Sequence, residues 1–211
     1  SSETIFTQGG NAVVSTFLSS STDWNNPNPD YTYPQQAFSY QVSEDLLRCY
    51  SDGDLRRTAF FKNSLHAAIP DKYKTWMDYN DNDEIGMDFL IRLPEVILNK
   101  AEALAMLTRD GDAKTELEKL RSKRFAAAPS VTETGEALID FIRDERRREL
   151  CFEGHRWFDL TRMCTPQEFV SIIKAAKPES TPKEYHVKFP IPQREIDLSQ
   201  NMITQNEGYG Q

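Results

Sequence analysis

Apolar residues recur at helical spacing only from about residue 88 onward. Leu93, Val96, Ile97, Ala101, Leu104 and Leu107 follow the three-and-four rhythm of one helix face, behind Pro94, which a helix tolerates in its first turn. Gly111 is placed to end that helix in a left-handed conformation and Asp112 to cap the next, whose stripe is Ala113, Leu117 and Leu120. The two read as an antiparallel helical hairpin. After AAAPSVTETGE, Leu138, Phe141 and Ile142 open a third helix whose face runs on to Glu145, Glu149 and Phe152. Two carboxylates therefore fall on an inward face. Gly154 interrupts or kinks this helix, Trp157, Leu160 and Thr161 carry it on, and Pro166 restarts the chain into QEFVSIIKAA, with Phe169, Ile172 and Ile173 inward.

The rest of the chain lacks that rhythm. AVVSTFL gives way to SSSTDWNNPNPDYTYPQ, too dense in Asn, Pro, Ser and Asp for a regular element. A loop of that length is usually functional or disordered, and the aromatics within it argue against simple disorder. Ser43 is placed to cap a short helix in SEDLLRCY, and SDGDLRR reads as a charged turn. Near the end, Tyr185, Val187 and Phe189 alternate with polar neighbours as a short strand would, while Pro190 and Pro192 forbid a central place in any sheet.

Composition narrows the functional classes. A chain of 211 residues has enough length for a real core, burying about 70% of its unfolded surface. Apolar residues make up 38%, a low share that fits a loop-rich protein. Thirty-three acidic residues against 25 Lys plus Arg give a net charge of −8, which disfavours nucleic acid and anionic membrane as partners. No apolar run approaches the roughly 18 to 20 residues needed to cross a bilayer, and residues 1–8 lack the pattern of a signal peptide. Cys49, Cys151 and Cys164 show no CxxC spacing, so neither a disulfide framework nor a thiolate zinc site is indicated.

Candidate chemistry is sparse. His66, His155 and His186 are widely separated, and no HExxH occurs, so no metal site is expected. DYNDNDEIGMDF resembles a calcium loop in composition, but its sixth position is Asp83 and its twelfth Phe89, where glycine and glutamate belong. Phosphate cradles and nucleophile elbows are absent, and no cofactor is implied. In ERRRELCFEGHRWFDLTR the acids at 145, 149 and 153 share one helix side with nearby arginines. Charge-paired structural carboxylates explain this better than the acid and base of a glycosidase, for which Glu145 and Glu149 are the candidate pair. What remains is aromatic content in irregular segments: Trp24, Tyr31 and Tyr33 in the first loop, and Tyr73, Trp76 and Tyr79 in KYKTWMDYN. Flat rings flanked by Asn, Asp or Gln are what a sugar binder needs.

In the order SSETIFTQ, SEDLLRCYSDGDLRR, IRLPEVILNKAEAL, GDAKTELEKLRSKR, IRDERRRELCFEGHRWFDLTR and FPIPQREIDLSQNMITQNEGYGQ, the chain resembles the C-terminal part of the SusD/RagB family of outer-membrane nutrient-binding lipoproteins. The resemblance implies a mainly α-helical fold, with a tetratricopeptide-type helical hairpin at residues 94–124, a loop-rich portion and few short strands. It divides the chain into a loop-rich segment (1–87), a helical core (88–176) and an extended tail (177–211). Family members are larger and carry earlier helix pairs upstream, so the N-terminal helical-repeat part, secretory signal and lipid-anchor cysteine are expected to lie outside this sequence.

The function implied is non-enzymatic. Such a lipoprotein caps a SusC-like TonB-dependent transporter at the outer-membrane surface, touches the membrane only through its lipid anchor, and hands oligosaccharides or other nutrients to its partner. Ligand contacts in the family lie on variable loops, so Trp24, Tyr31, Tyr33 and Trp76 are candidates from composition alone. Glu145, Arg146, Glu149, Glu153, Arg156, Trp157 and Asp159 are then a structural signature, with Arg92, Arg121 or Arg124 as partners for the inward acids. A glycosidase and a protein-interaction module without a glycan site are the alternatives.

Overall fold

The computed structural model describes residues 4–9, 42–63, 68–70, 72, 87–200 and 202–210. Among these it is mainly helical, with eight α-helices and four short strands. The chain forms two compact units, 1–153 and 154–211.

In the first unit, β1 (Thr4–Gly9) pairs antiparallel with β4 (Met87–Arg92), Thr4 facing Arg92 and Gly9 facing Met87. A second two-stranded ladder joins β2 (Phe61–Asn63) to β3 (Ala68–Pro70). Between β1 and β2 in sequence lie two short helices, α1 (Glu44–Arg48) and α2 (Arg56–Ala59). Ser43 caps α1, its Oγ accepting the Leu46 N–H at 3.3 Å.

β4 runs without a loop into α3 (Leu93–Met106), and Pro94 occupies the first turn, where a missing N–H costs no helical bond. α3 and α4 (Asp110–Arg121) form the expected hairpin, and α5 (Gly135–Glu149) packs against both. Their shared core is Leu98, Ala101, Ala105, Ala113, Leu117, Leu120, Leu138 and Ile142. Three alanines among eight core positions let the helix axes approach closely.

Two details of the hairpin differ from the expected ones. The buried face of α3 is Pro94, Leu98, Ala101, Glu102 and Ala105; Ile97 and Leu104 flank it, while Leu93, Val96 and Leu107 are 39%, 44% and 67% exposed. Apolar residues lie on more than one side of this helix, so periodicity alone left its rotation open. The helix also ends earlier than Gly111. Thr108 takes the left-handed conformation (φ 58°), with its N–H on the Ala105 carbonyl and the Arg109 N–H on the Leu104 carbonyl, both at 2.9 Å. This is a Schellman closure with threonine where glycine is usual. Gly111 falls inside α4, and Asp112 pairs with Arg109 instead of capping.

A second cluster gathers Val42, Leu46, Tyr50 and Phe61, with Phe60, Cys151 and Phe152 against it. Tyr50 meets Phe61 edge-on at 5.2 Å, and Phe61 meets Phe152 at 6.0 Å. Phe152 sits at φ 64° just beyond the end of α5.

The second unit contains α6 (His155–Met163), α7 (Pro166–Ala176) and α8 (Gln193–Leu198). Gly154, at φ 78°, starts α6. Leu160, Phe169 and Ile196 are its buried apolar residues, and Trp157 packs edge-on to Phe169 at 5.0 Å and face-on to Phe189 at 5.2 Å. The strand expected at Tyr185–Phe189 is instead a 3₁₀ turn over Glu184–Val187. A strand would put Tyr185 and Phe189 on one face. The turn separates them, sending Tyr185 to Tyr209 (4.9 Å) and Phe189 to Trp157. The proline-interrupted backbone beyond is satisfied by side chains of the closing QNEGYG. Gln205 binds both the N–H and the carbonyl of Ile191 at 2.8 Å, while Asn206 donates to the Phe189 carbonyl and Tyr209 to that of Lys188, each at 2.7 Å.

Candidate functional site

The inward face of α5 changes chemistry along its length. Leu138 and Ile142 serve the apolar core; one and two turns later Glu145 and Glu149 occupy the same face, both fully buried. Each is surrounded by guanidinium groups, from other elements except for Arg148, which lies one turn along α5 from Glu145. Glu145 lies 2.7 Å from Arg56, 3.0 Å from Arg121 and 2.9 Å from Arg148. Glu149 receives a two-pronged fork from Arg124, Nε to Oε2 and Nη2 to Oε1, both at 2.9 Å, and further contacts from Arg56 at 3.2 Å and Arg92 at 3.4 Å. Arg56, 1% exposed, grips Asp54 with a second fork (2.9 and 2.7 Å) and thereby links three carboxylates. Glu153 closes the network with Arg92 (2.8 and 2.6 Å) and Lys72.

Four carboxylates, those of Asp54, Glu145, Glu149 and Glu153, thus meet six cations: Arg56, Lys72, Arg92, Arg121, Arg124 and Arg148. Backbone carbonyls take up the excess donors. Lys72 donates to the carbonyls of Glu149 (2.5 Å) and Cys151 (3.2 Å), and Arg92 to that of Glu149 (3.2 Å). These oxygens close α5, where orphan carbonyls and the negative end of the helix dipole favour cations. Lys72 also lies 4.3 Å from the centre of the Phe60 ring, a cation–π contact.

The electrostatics follow from this geometry. Burial alone would raise the pKa of Glu149, but the Arg124 fork, with Lys72 and Arg56, outweighs it and holds the carboxyl at about 2. Glu145 is likewise held below the ordinary carboxylate range, burial being overcome by Arg56 and Arg148. For Glu153, Arg92 and Lys72 overcome burial in the same direction. Burial pushes the Tyr50 hydroxyl up, and as a neutral donor it binds the Arg148 carbonyl at 2.7 Å. A glycosidic acid must keep a proton near neutral pH and reach its substrate. Glu145 and Glu149 are both held in the ionised form, both buried and both ion-paired with arginines, so this pair is not arranged to protonate a leaving group.

The other signature residues have separate tasks. Arg146, 5% exposed, donates to Asn99 Oδ1 at 2.7 Å and lies 3.7 Å from Glu95. Beyond Gly154, Trp157 belongs to the aromatic packing of the second unit, Asp159 is buried 3.3 Å from Arg162, and Arg156 is exposed. All three arginines expected to face the inward acids do so. Arg56, Asp54 and Lys72 went unrecognised, because SDGDLRR reads as an exposed turn and Lys72 as one of many lysines. The available signal was stoichiometric: several acids on one inward face demand cations from outside that helix. Trp24, Tyr31, Tyr33 and Trp76, together with Tyr73 and Tyr79, lie outside the described residues, as does most of the calcium-like run. Among the described residues no group of three or more His, Cys, Asp or Glu could hold a metal ion. None of the described helices is long and apolar enough to cross a membrane.

A three-helix core locked by sealed ion pairs, with a tail stitched down by its own side chains, defines a helical scaffold. Comparison with known proteins places that scaffold. The SusD family model matches residues 69–209. A SusD-like protein, P25, from Formosa agariphila is 30% identical over 128 residues, 57% of this chain and 24% of that protein. A SusD superfamily protein of known structure from Bacteroides thetaiotaomicron is 26% identical, with a TM-score of 0.62 over 85% of this chain and 41% of that one. Surface glycan-binding protein A from Bacteroides fluxus shares the fold, with a TM-score of 0.63 at 24% identity over 80% of this chain and 40% of that one. The chain belongs to the SusD family. It spans about a quarter of the length of the Formosa relative and about two-fifths of the solved chains.

Proposed function

We propose that the protein binds nutrient, most simply an oligosaccharide, at the outer-membrane surface without chemical conversion and delivers it to a SusC-like TonB-dependent transporter. The observation that carries this reading is the match to the SusD family over residues 69–209. The site geometry supports it from the other side: the carboxylates of the acidic cluster are taken up by internal ion pairs, so recognition falls to groups outside that cluster. On this reading Glu145, Arg146, Glu149, Glu153, Arg156, Trp157 and Asp159 maintain the scaffold, and Trp24, Tyr31, Tyr33 and Trp76 offer stacking platforms for sugar rings.

The test is calorimetric titration against a panel of oligosaccharides. Trp24→Ala and Trp76→Ala should each weaken a confirmed ligand by about tenfold, roughly 1.4 kcal/mol, with the melting temperature nearly unchanged. Undiminished affinity in both variants removes these platforms from the proposal. Turnover of the ligand by the parent protein, lost in Glu149→Gln, removes the non-enzymatic reading altogether.

A further inference from the structure

Two cations well separated in the chain end on the same two acceptors. Lys72 follows β3, and Arg92 closes β4 twenty positions later. Arg92 donates to both oxygens of Glu153, from Nε at 2.8 Å and from Nη2 at 2.6 Å, and Lys72 pairs with the same carboxylate. Both also donate to the Glu149 carbonyl, Lys72 at 2.5 Å and Arg92 at 3.2 Å. The side chains of Lys72, Arg92 and Glu153 are 5%, 11% and 4% exposed, so salt and water screen the attraction little.

The two ends are held differently. Arg92 is fixed through its backbone as well, standing opposite Thr4 in the β1–β4 ladder and directly preceding Leu93, the first residue of α3. Lys72 is held through its ammonium group, by Glu153, by the carbonyls of Glu149 and Cys151, and by the Phe60 ring. Two cations brought to one oxygen repel each other, and the Glu153 carboxylate is the charge that keeps them together. Between these ends the sequence carries Tyr73, Trp76 and Tyr79. Joining the ends of a stretch of chain removes conformational freedom that ligand binding would otherwise have to remove, which raises affinity without an added contact.

We infer that Glu153 is a positioning residue: with the Glu149 carbonyl it clasps both ends of the stretch 72–92 at the end of α5 and thereby fixes how Trp76 meets a sugar ring. The inference rests on the proposed reading of Trp76 as a stacking platform, but the clasp itself is tested without ligand. Hydrogen exchange read by mass spectrometry compares residues 73–86 with α3 and α4 in the parent, in Glu153→Gln and in Lys72→Met. Short labelling times, at which α3 and α4 stay protected in every variant, separate local opening from global unfolding. Each single variant should speed exchange in 73–86 at least fivefold, and the double variant should be little faster than either, because the two side chains act through each other. Unchanged exchange in 73–86, exchange that rises only together with that of α3 and α4, or effects that add in the double variant overturns the inference. Should Glu153→Gln fail to fold, Lys72→Met decides. A panel oligosaccharide that binds the parent should bind Glu153→Gln three- to tenfold more weakly, and in a Trp76→Ala background that difference should vanish. Independent effects of the two substitutions on affinity also overturn it. If no oligosaccharide in the panel binds, the function proposed above fails, and the exchange result still upholds or overturns the clasp.

Discussion

Arg56 reaches three carboxylates from one buried guanidinium, and that economy makes the network sensitive to single changes. Glu149→Gln keeps the shape but removes the charge that Arg124, Arg56 and Arg92 share. The survivors cannot regain water, so the change should cost about 3 to 5 kcal/mol of stability, read as a lower urea midpoint and melting temperature. A loss under about 1 kcal/mol would mean that solvent reaches the cluster and screens it. Gly208 tests a different constraint. A Cβ built there falls 2.3 Å from Tyr185 Cγ, and the backbone sits at φ 90°. Gly208→Ala should therefore cost about 1 to 3 kcal/mol and expose the tail to protease, through strain and overlap together. Gly53 is the control: at φ 80° with nothing within 4 Å, its alanine variant meets only the strain, about 1 to 2 kcal/mol.

At the scale of elements, caps and faces decide which sequence signals were readable. α7 announces itself: Thr165 Oγ1 accepts the Glu168 N–H at 3.3 Å, and Glu168 returns a bond to the Thr165 N–H at 2.7 Å. Thr165→Ala removes half of that capping box and should lower stability by about 1 kcal/mol, measured by chemical denaturation, without moving the fold. The face of α5 was equally legible, because Leu138, Ile142, Glu145 and Glu149 keep one side, flanked by Ile139 and Phe141. α3 was legible as a helix but not in its rotation, since its apolar residues lie on more than one side, Leu98, Ala101 and Ala105 in the core and Leu93 and Val96 exposed. The 3₁₀ turn at Glu184–Val187 hid behind a two-residue alternation. What selects it is Tyr209 and Gly208, more than twenty residues away, and no local pattern carries that information. The hub was hidden for a similar reason: Arg56 and Glu149 are 93 positions apart, and only the fold brings them to 3.2 Å.

For the molecule as a whole, the network ties stability to acidity. In the unfolded chain these carboxyls titrate near the ordinary value of 4.5, whereas in the native state Glu149 is held at about 2 and Glu145 and Glu153 are also held low. As pH falls below about 4.5, the unfolded state therefore binds protons that the native state refuses, and each proton favours unfolding. The stabilisation is complete above that point and is lost on the way down to about 2. For Glu149 alone the difference corresponds to about 3 kcal/mol. Urea unfolding at pH 6, 5, 4 and 3 should show a plateau and then a steep decline, and Glu149→Gln should flatten the decline as well as lower the plateau. Because the pairs are buried, 0.5 M salt should change the slope little, whereas a decline driven by repulsion among surface charges would weaken with salt. A curve with the same slope in parent and variant would assign the acid sensitivity to exposed groups, and the ion-pair core would then contribute rigidity without pH dependence.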